Sequence, residues 1–344
     1  MQNKEILSGK TLTELETTMQ SIGEKSFRAR QIYKWINKKS VHDFQKMTDL
    51  SKDLRNKLTD SFKIKTLEIQ EKEHSEIDDS VKYLFKLEDG NFIESVLMQD
   101  SDRHTICLST MIGCPIGCPY CATGLIGLKR NLTAGEIVEQ LLWVAKDSEI
   151  DLTNIVFMGM GEPFLNYENS IKAAQIFNTE LGPEISTRKI VISTCGIIPK
   201  LYDYTDQGYK FKLAISLNGT TNKQRDEMVP INKKYPLEEL IKAAKYYTNN
   251  SRNRITFEYI LIKDFNDSLE DARRLRQLLS DFPCKLNIIP YNENEQINFQ
   301  APSEQKLDQF VNELYKSPFA VTVRRSKGQD ISAACGQLYG KNNI

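Results

Sequence analysis

Apolar positions in the first 65 residues recur at helical spacing and predict short amphipathic helices over 11–20 and 26–38, with one or two more running through Lys57. Breaks fall at Ile22-Gly23 and near Ser40. Residues 80–87 and 92–98 alternate apolar and polar side chains on either side of Asp89-Gly90, a turn dipeptide typical of β-hairpins. From His104 the pattern changes. Extended apolar runs over 105–111, 154–158, 189–194, 212–217, 256–262, 285–290 and 320–324 alternate with segments of helical period. Several of those helices carry start signals: Thr133 with Glu136 has the form of a capping box, and Ser268 and Ser303 each open another. Six or so successive βα units imply a parallel sheet covered by helices. We expect an open, partial (β/α)6 barrel rather than a doubly wound sheet, although both folds share this alternation. The chain then divides into a helical module over 1–65, a connecting hairpin over 66–99 and a barrel over 100–344.

Composition narrows the class. With 344 residues, 40% of them apolar and 27% charged, the chain can bury one large core or two smaller ones. Residues 1–10 lack the apolar run of a secretory signal, and no later run nears the roughly 18 residues of a membrane span. The expected location is the cytoplasm, with no membrane contact. Seven cysteines, an odd number, argue against a disulfide framework there. Net charge is zero, yet residues 1–65 hold 14 Lys and Arg against 8 Asp and Glu, an asymmetry that suggests contact with a polyanion. In that segment Arg28, Arg30, Lys34, Lys38 and Lys39 are interleaved with Phe27, Tyr33 and Trp35. The mixture suits RNA phosphates and bases, and equally a helix with aromatics in the core and charges in solvent.

The loop after the first barrel strand carries Cys114, Cys118 and Cys121 as C-x3-C-x2-C. Three thiolates so close can converge on one metal centre. Structural zinc sites usually take four protein ligands, and His42, His74 and His104 have no such spacing, so zinc would need Cys107 as its fourth ligand. Three cysteines on a four-iron cluster instead leave one iron open to a small molecule. With Tyr120 just before the last cysteine, the loop resembles the signature of the radical S-adenosylmethionine (SAM) superfamily. The resemblance implies a 4Fe-4S cluster on Cys114, Cys118 and Cys121, with SAM bound at the open iron and cleaved to a 5'-deoxyadenosyl radical.

One βα unit later, Phe157 to Pro163 put Gly159, Gly161 and Glu162 at a strand end, where barrel enzymes build their sites. Glycines admit a ligand to the backbone and a carboxylate receives an ammonium group. A Gly-rich strand exit is otherwise an ordinary turn. In this position it resembles the superfamily's SAM-binding Gly-Glu motif. Ser193, Ser216 and Asn292 also sit at strand ends, each with an alternative reading as a polar turn residue.

Near the C-terminus, residues 328–338 read Gly-Gln-Asp-Ile-Ser-Ala-Ala-Cys-Gly-Gln-Leu. Together with residues 121–124, 131–137, 158–163, 228–232 and 289–292, this segment resembles the RlmN/Cfr family of radical SAM RNA methyltransferases along the whole chain. The family route suits a ring carbon of adenine, too poor a nucleophile for polar methyl transfer. The resemblance implies that Cys335 carries a methyl group taken from one SAM, while a second SAM yields the radical. Cys107 then releases the product through a disulfide, and Glu94 accepts a proton; outside the family, Glu94 reads as an exposed strand carboxylate. Gly161, Glu162, Ser193, Ser216, Leu217, Asn218 and Asn292 are implied to hold SAM. Where the family usually has Ser-Leu-His, this chain has Ser216-Leu217-Asn218, and asparagine cannot titrate near neutral pH.

The implied substrate is an adenosine of 23S rRNA, methylated at C2, with the adenosine beside the anticodon of certain tRNAs as a second target. The implied partners are an external electron donor such as flavodoxin or ferredoxin, and the expected state is a monomer. Gly161-Glu162-Pro163 with Asn166 resembles the RlmN branch more than the Cfr branch, whose C8 chemistry is the alternative. A non-catalytic zinc-stabilised RNA-binding module and a radical SAM enzyme acting on a peptide or small molecule leave the Cys335 segment unexplained. Cys195 and Cys284 are expected to be small core hydrophobes.

Overall fold

The computed structural model describes residues 4–339 except 252 and 295. At the N-terminus, β1 (Glu5–Ile6) pairs in parallel with β2 (Phe62–Lys63) and ties together α1 (Leu12–Ser21), α2 (Ser26–Asn37) and α3 (Lys52–Ser61). Thr11 and Glu14 form a reciprocal capping box at α1, and Ser51 caps α3. Leu15, Met19, Ile32, Tyr33, Ile36, Leu54 and Leu58 are buried, and they belong to a core continuous with that of the barrel. Gly9, at φ 75°, lets the N-terminal loop lie on Gly135; a Cβ there would sit 2.1 Å from the Gly135 nitrogen.

Among the described residues, ten strands form one sheet in the order β14-β13-β12-β11-β10-β9-β6-β5-β4-β3. The antiparallel part is β3 (Leu67–His74), β4 (Val81–Leu87), β5 (Phe92–Asp100) and β6 (Arg103–Cys107). The chain then forms β7 (Met111–Gly113), α4 (Ala122–Ile126), β8 (Leu128–Asn131) and α5 (Ala134–Ser148). Next come β9 (Asn154–Phe157), α6 (Tyr167–Asn178), β10 (Ile190–Thr194), α7 (Ile198–Asp206), β11 (Lys212–Ser216), α8 (Asn222–Met228) and α9 (Leu237–Ser251). The series ends with β12 (Ile255–Leu261), α10 (Leu269–Leu279), β13 (Cys284–Pro290), α11 (Glu304–Leu314) and β14 (Ala320–Val323). From β6 through β14 every neighbouring pair in the large sheet is parallel. The parallel strands follow chain order without a reversal and β14 ends the sheet on one side, so the expected open barrel forms, a choice that the βα alternation alone leaves undecided.

Two local differences from the predicted elements have physical causes. The run over 105–111 is two strands. Residues 108–110 leave the sheet toward the β9 exit, with the Thr110 amide donating to the Met160 carbonyl at 2.8 Å, and β7 then pairs with β8. Strand β3 escapes the hydrophobic pattern because only Leu67 of its eight residues is buried. It is an edge strand protected by charged side chains. No helix among the described residues is long and apolar enough to cross a membrane.

Candidate active site

Alternation along the parallel strands decides which side chains enter the lumen. In β11, Leu213 and Ile215 pack outward into the core while Ser216 faces a cavity. In β12, Phe257 and Tyr259 are core residues while Glu258 and Ile260 line that cavity. The cavity, with about 810 Å³ of empty space including its opening, lies at the C-terminal strand ends and is bounded by Cys114, Cys118 and Cys121. Gly161, Glu162, Ser193, Ser216 and Asn218 line it as well.

Burial pushes the Cys114 thiol up to about 12, with Glu162 and Cys121 adding to the effect. Cys118 is raised well above the ordinary thiol range by burial and by the charges of Cys121 and Cys114. Cys121 is raised by burial, an effect that local backbone hydrogen bonds oppose. All three thiols line one cavity, an all-sulfur donor set of the kind that takes an iron–sulfur cluster, whose binding would remove the protons that burial otherwise holds on them. Cys107 borders a second, smaller cavity with Cys335, Met158 and Arg324. It is therefore not the fourth corner of a zinc site on the three-cysteine loop.

Glu162 is buried, and its carboxylate ties its own loop to the β10 exit. One carboxylate oxygen accepts from the Phe164 amide at 3.0 Å and the other from the Cys195 amide at 2.8 Å. Gly161, at φ 100°, packs so closely on Met111 that a Cβ would lie 2.5 Å from the Met111 Cβ. The glycine thus serves the approach of the β9 exit to the chain beside β7 as well as lining the cavity. Asn218 occupies the left-handed region at φ 53°, which asparagine tolerates better than most residues. Its Nδ2 donates to the Tyr120 hydroxyl at 2.6 Å and its Oδ1 accepts from the Ile260 amide at 2.9 Å. Asn218 thus fastens the cysteine loop, through Tyr120, to β12.

Leu217 and Asn292 are not brought to the cavity. Strand alternation turns Leu217 into the core. Asn292 instead holds the C-terminal segment: its Nδ2 donates to the Cys335 carbonyl at 3.1 Å and to Ser326 Oγ at 3.0 Å. The same segment is strapped down by Asp330 on Ser75 and Glu76, by Asp78 on the Gly328 amide and by Gly336, whose carbonyl accepts from the Ala122 amide at 2.7 Å. Cys335 consequently borders both cavities. Glu94 shares a face of β5 with Val96, which lines the Cys107 cavity, but the Glu94 carboxylate is buried and accepts from the Tyr339 amide at 2.9 Å.

Some residues at the site carry no motif signal. Cys284 and Cys195 are both core residues as expected, and Cys195 also lines the cysteine-loop cavity. Its position one residue past a predicted strand end was the available signal. Beneath that cavity, Arg225 is fully buried and donates to the Cys195 carbonyl at 3.0 Å, the Ser216 carbonyl at 3.2 Å and Asn232 Oδ1 at 3.0 Å, and also to the Leu217 carbonyl. In the N-terminal module Tyr33 is buried, Lys39 covers the Trp35 ring at 3.5 Å and Lys38 is paired with Glu184, while Phe27 is exposed. Most of its aromatics therefore serve packing.

An open parallel α/β barrel with a three-cysteine loop and a Gly-Glu strand exit at its C-terminal mouth defines a radical SAM enzyme. Residues 108–276 match the radical SAM superfamily, and residues 6–64 match the N-terminal domain of ribosomal RNA large subunit methyltransferases. A crystal structure of a radical SAM methyltransferase from Sphaerobacter thermophilus superposes with a TM-score of 0.94 at 40% identity, covering 98% of this chain and 99% of that one. The probable dual-specificity RNA methyltransferase RlmN of Petrotoga mobilis is 46% identical over 98% of this chain and 97% of its own length. The dual-specificity RNA methyltransferase RlmN of Geobacter sulfurreducens is 45% identical, with 97% and 92% covered. The chain belongs to the RlmN family of radical SAM enzymes, which methylate RNA.

Proposed function

We propose that this enzyme methylates C2 of an adenosine in 23S rRNA, and the adenosine beside the anticodon of certain tRNAs, through a methyl group carried on Cys335. The observation that carries the reading is the position of Cys335 in the wall shared by the cysteine-loop cavity and the Cys107 cavity. A thiol there can receive a methyl group on one side and meet Cys107 on the other. When bound, a 4Fe-4S cluster on Cys114, Cys118 and Cys121 together with SAM supplies the methyl group and a 5'-deoxyadenosyl radical.

The chain's own residues do the positioning. Glu162 receives the ammonium group of SAM, and Gly161, Ser193 and Ser216 shape its bed. Asn218 acts through Tyr120, Leu217 by setting the strand exit, and Asn292 by holding the Cys335 carbonyl. Once the one-carbon unit on Cys335 is also bonded to the base, Cys107 gives up its proton and attacks the Cys335 sulfur; the disulfide forms as the sulfur–carbon bond breaks, and the electron pair leaves on the carbon, which takes a proton and becomes the methyl group of the freed base. Burial, which pushes the Cys107 thiol up to about 12, keeps it protonated until that step. Glu94 is the proton acceptor, which requires Tyr339 to release its carboxylate. The enzyme works in the cytoplasm as a monomer, taking two SAM per turnover and electrons from flavodoxin or ferredoxin. RNA from a strain lacking the gene tests the reading: loss of 2-methyladenosine supports it, and its persistence, or loss of 8-methyladenosine instead, overturns it.

A further inference from the structure

At the end of the lumen away from the cysteine loop, the inward positions become cationic. Arg103 at the start of β6, Lys212 at the start of β11 and Lys285 near the start of β13 line an open groove with about 1480 Å³ of empty space. Among the described residues, none of these three side chains makes an ion pair or side-chain hydrogen bond. The acidic groups in the groove are Asp100 and Glu258, and the latter already accepts from Asn287 Nδ2 at 2.9 Å. The like charges face one another: burial and then Lys285, Arg103 and Arg188 push the Lys212 amine down from its ordinary range. A multivalent anion would relieve that repulsion.

The groove is continuous with the chemistry. Met98, Val156, Met158, Arg324 and Lys327 border both it and the Cys107–Cys335 cavity. Its middle is walled by small or polar residues such as Thr105, Thr256 and Asn287, so the lumen is hollow where a closed barrel is filled. Strand register puts Lys212 level with Val191, Val156 and Cys107 on successive strands. Three strand spacings, roughly 14 Å along the sheet, separate Lys212 from Cys107. An extended nucleotide strand spans such a distance.

We propose that the N-terminal mouth of the open barrel is the RNA entry site, where Arg103, Lys212 and Lys285 bind the phosphates flanking the target adenosine while its base reaches Cys335. The proposal rests on RNA as substrate and on Cys335 as the methyl carrier. It fits a splayed, single-stranded segment, the form in which RNA bases become accessible, threading into a positively charged channel.

The test is binding of an rRNA fragment to the anaerobically reconstituted enzyme at several KCl concentrations, comparing wild type with Lys212→Gln/Lys285→Gln. The double variant should bind at least tenfold more weakly at low salt. Its log-affinity against log-salt slope should be shallower by about 1.4, since each phosphate contact on a single strand accounts for about 0.7. Lys242→Gln, on an exposed face of α9, should keep the wild-type slope. Iron content and melting temperature establish that the double variant is folded; relief of like-charge repulsion predicts a melting point no lower than wild type. An unchanged slope and affinity in the double variant overturn the proposal while leaving the methyltransferase reading intact. So does wild-type RNA binding combined with slower reduction by flavodoxin, which would assign the mouth to an acidic electron donor. A wild-type enzyme that fails to bind RNA removes the substrate reading and this proposal together.

Discussion

Replacing Arg225 should unfasten the floor of the cysteine-loop cavity. Its guanidinium joins the β10 exit, at the Cys195 carbonyl, to the β11 exit, at the Ser216 and Leu217 carbonyls, and anchors to Asn232. Four charge-assisted hydrogen bonds at about 1.5 kcal/mol net each amount to roughly 6 kcal/mol. Arg225→Leu also removes the desolvation of a buried cation, which recovers part of that sum, so the expected loss is about 3–4 kcal/mol. That is a large fraction of the roughly 5–15 kcal/mol by which domains are stable. Arg225→Lys keeps the charge but cannot span four acceptors with one ammonium, and should lose about 2 kcal/mol. Urea unfolding of the reduced, metal-free protein measures both. A leucine variant within about 1 kcal/mol of wild type would refute the argument that this residue fastens the two strand exits.

Other expectations follow from buried groups elsewhere. Burial raises the Glu139 carboxyl from 4.5 to about 7 despite hydrogen bonds from Thr66 and Leu67. The folded state then binds the extra proton, so stability falls by about 3 kcal/mol as pH rises from 4.5 to 7; Glu139→Gln should flatten that slope in pH-dependent unfolding. His42 runs the other way: burial, then Lys146 and Lys65, lower it from 6.5 to about 4, so stability falls by about 3 kcal/mol as pH drops through that window. His42→Phe, which keeps the stack on Trp143 at 4.4 Å, should remove this loss, and an unchanged acid limb would contradict it. Asp330→Ala, by freeing Ser75 and Glu76, should loosen the C-terminal strap and raise the iodoacetamide alkylation rate of Cys335 several-fold in SAM-free protein, with buried Cys284 unchanged. Equal Cys335 rates would show that the strap is held elsewhere.

Sequence patterns carried the barrel because each parallel strand is an apolar run bounded by helix start signals, and Thr133, Ser268 and Ser303 do cap helices. They missed β3, whose solvated charges erase alternation. The cysteine loop and Gly161-Glu162 were legible because their chemistry lies in one short segment. Arg225 was not, because a lone arginine on a helix reads as solvated until the fold buries it. The cationic mouth is written as alternation in Lys212-Leu213-Ala214 and Lys285-Leu286-Asn287, with charge on the inward face. Recognising it requires knowing that several strands turn those faces to one open lumen.

The central claim is that Cys335 and Cys107 act as a pair on a base held between them. The direct measurement is anaerobic reaction of Cys107→Ala with SAM, dithionite and an rRNA fragment, followed by denaturing gel electrophoresis and mass spectrometry of the Cys335 peptide. The account predicts RNA covalently bound to Cys335 through a one-carbon link and no released 2-methyladenosine. Free 2-methyladenosine at the wild-type rate, with an unmodified Cys335 peptide, would contradict it.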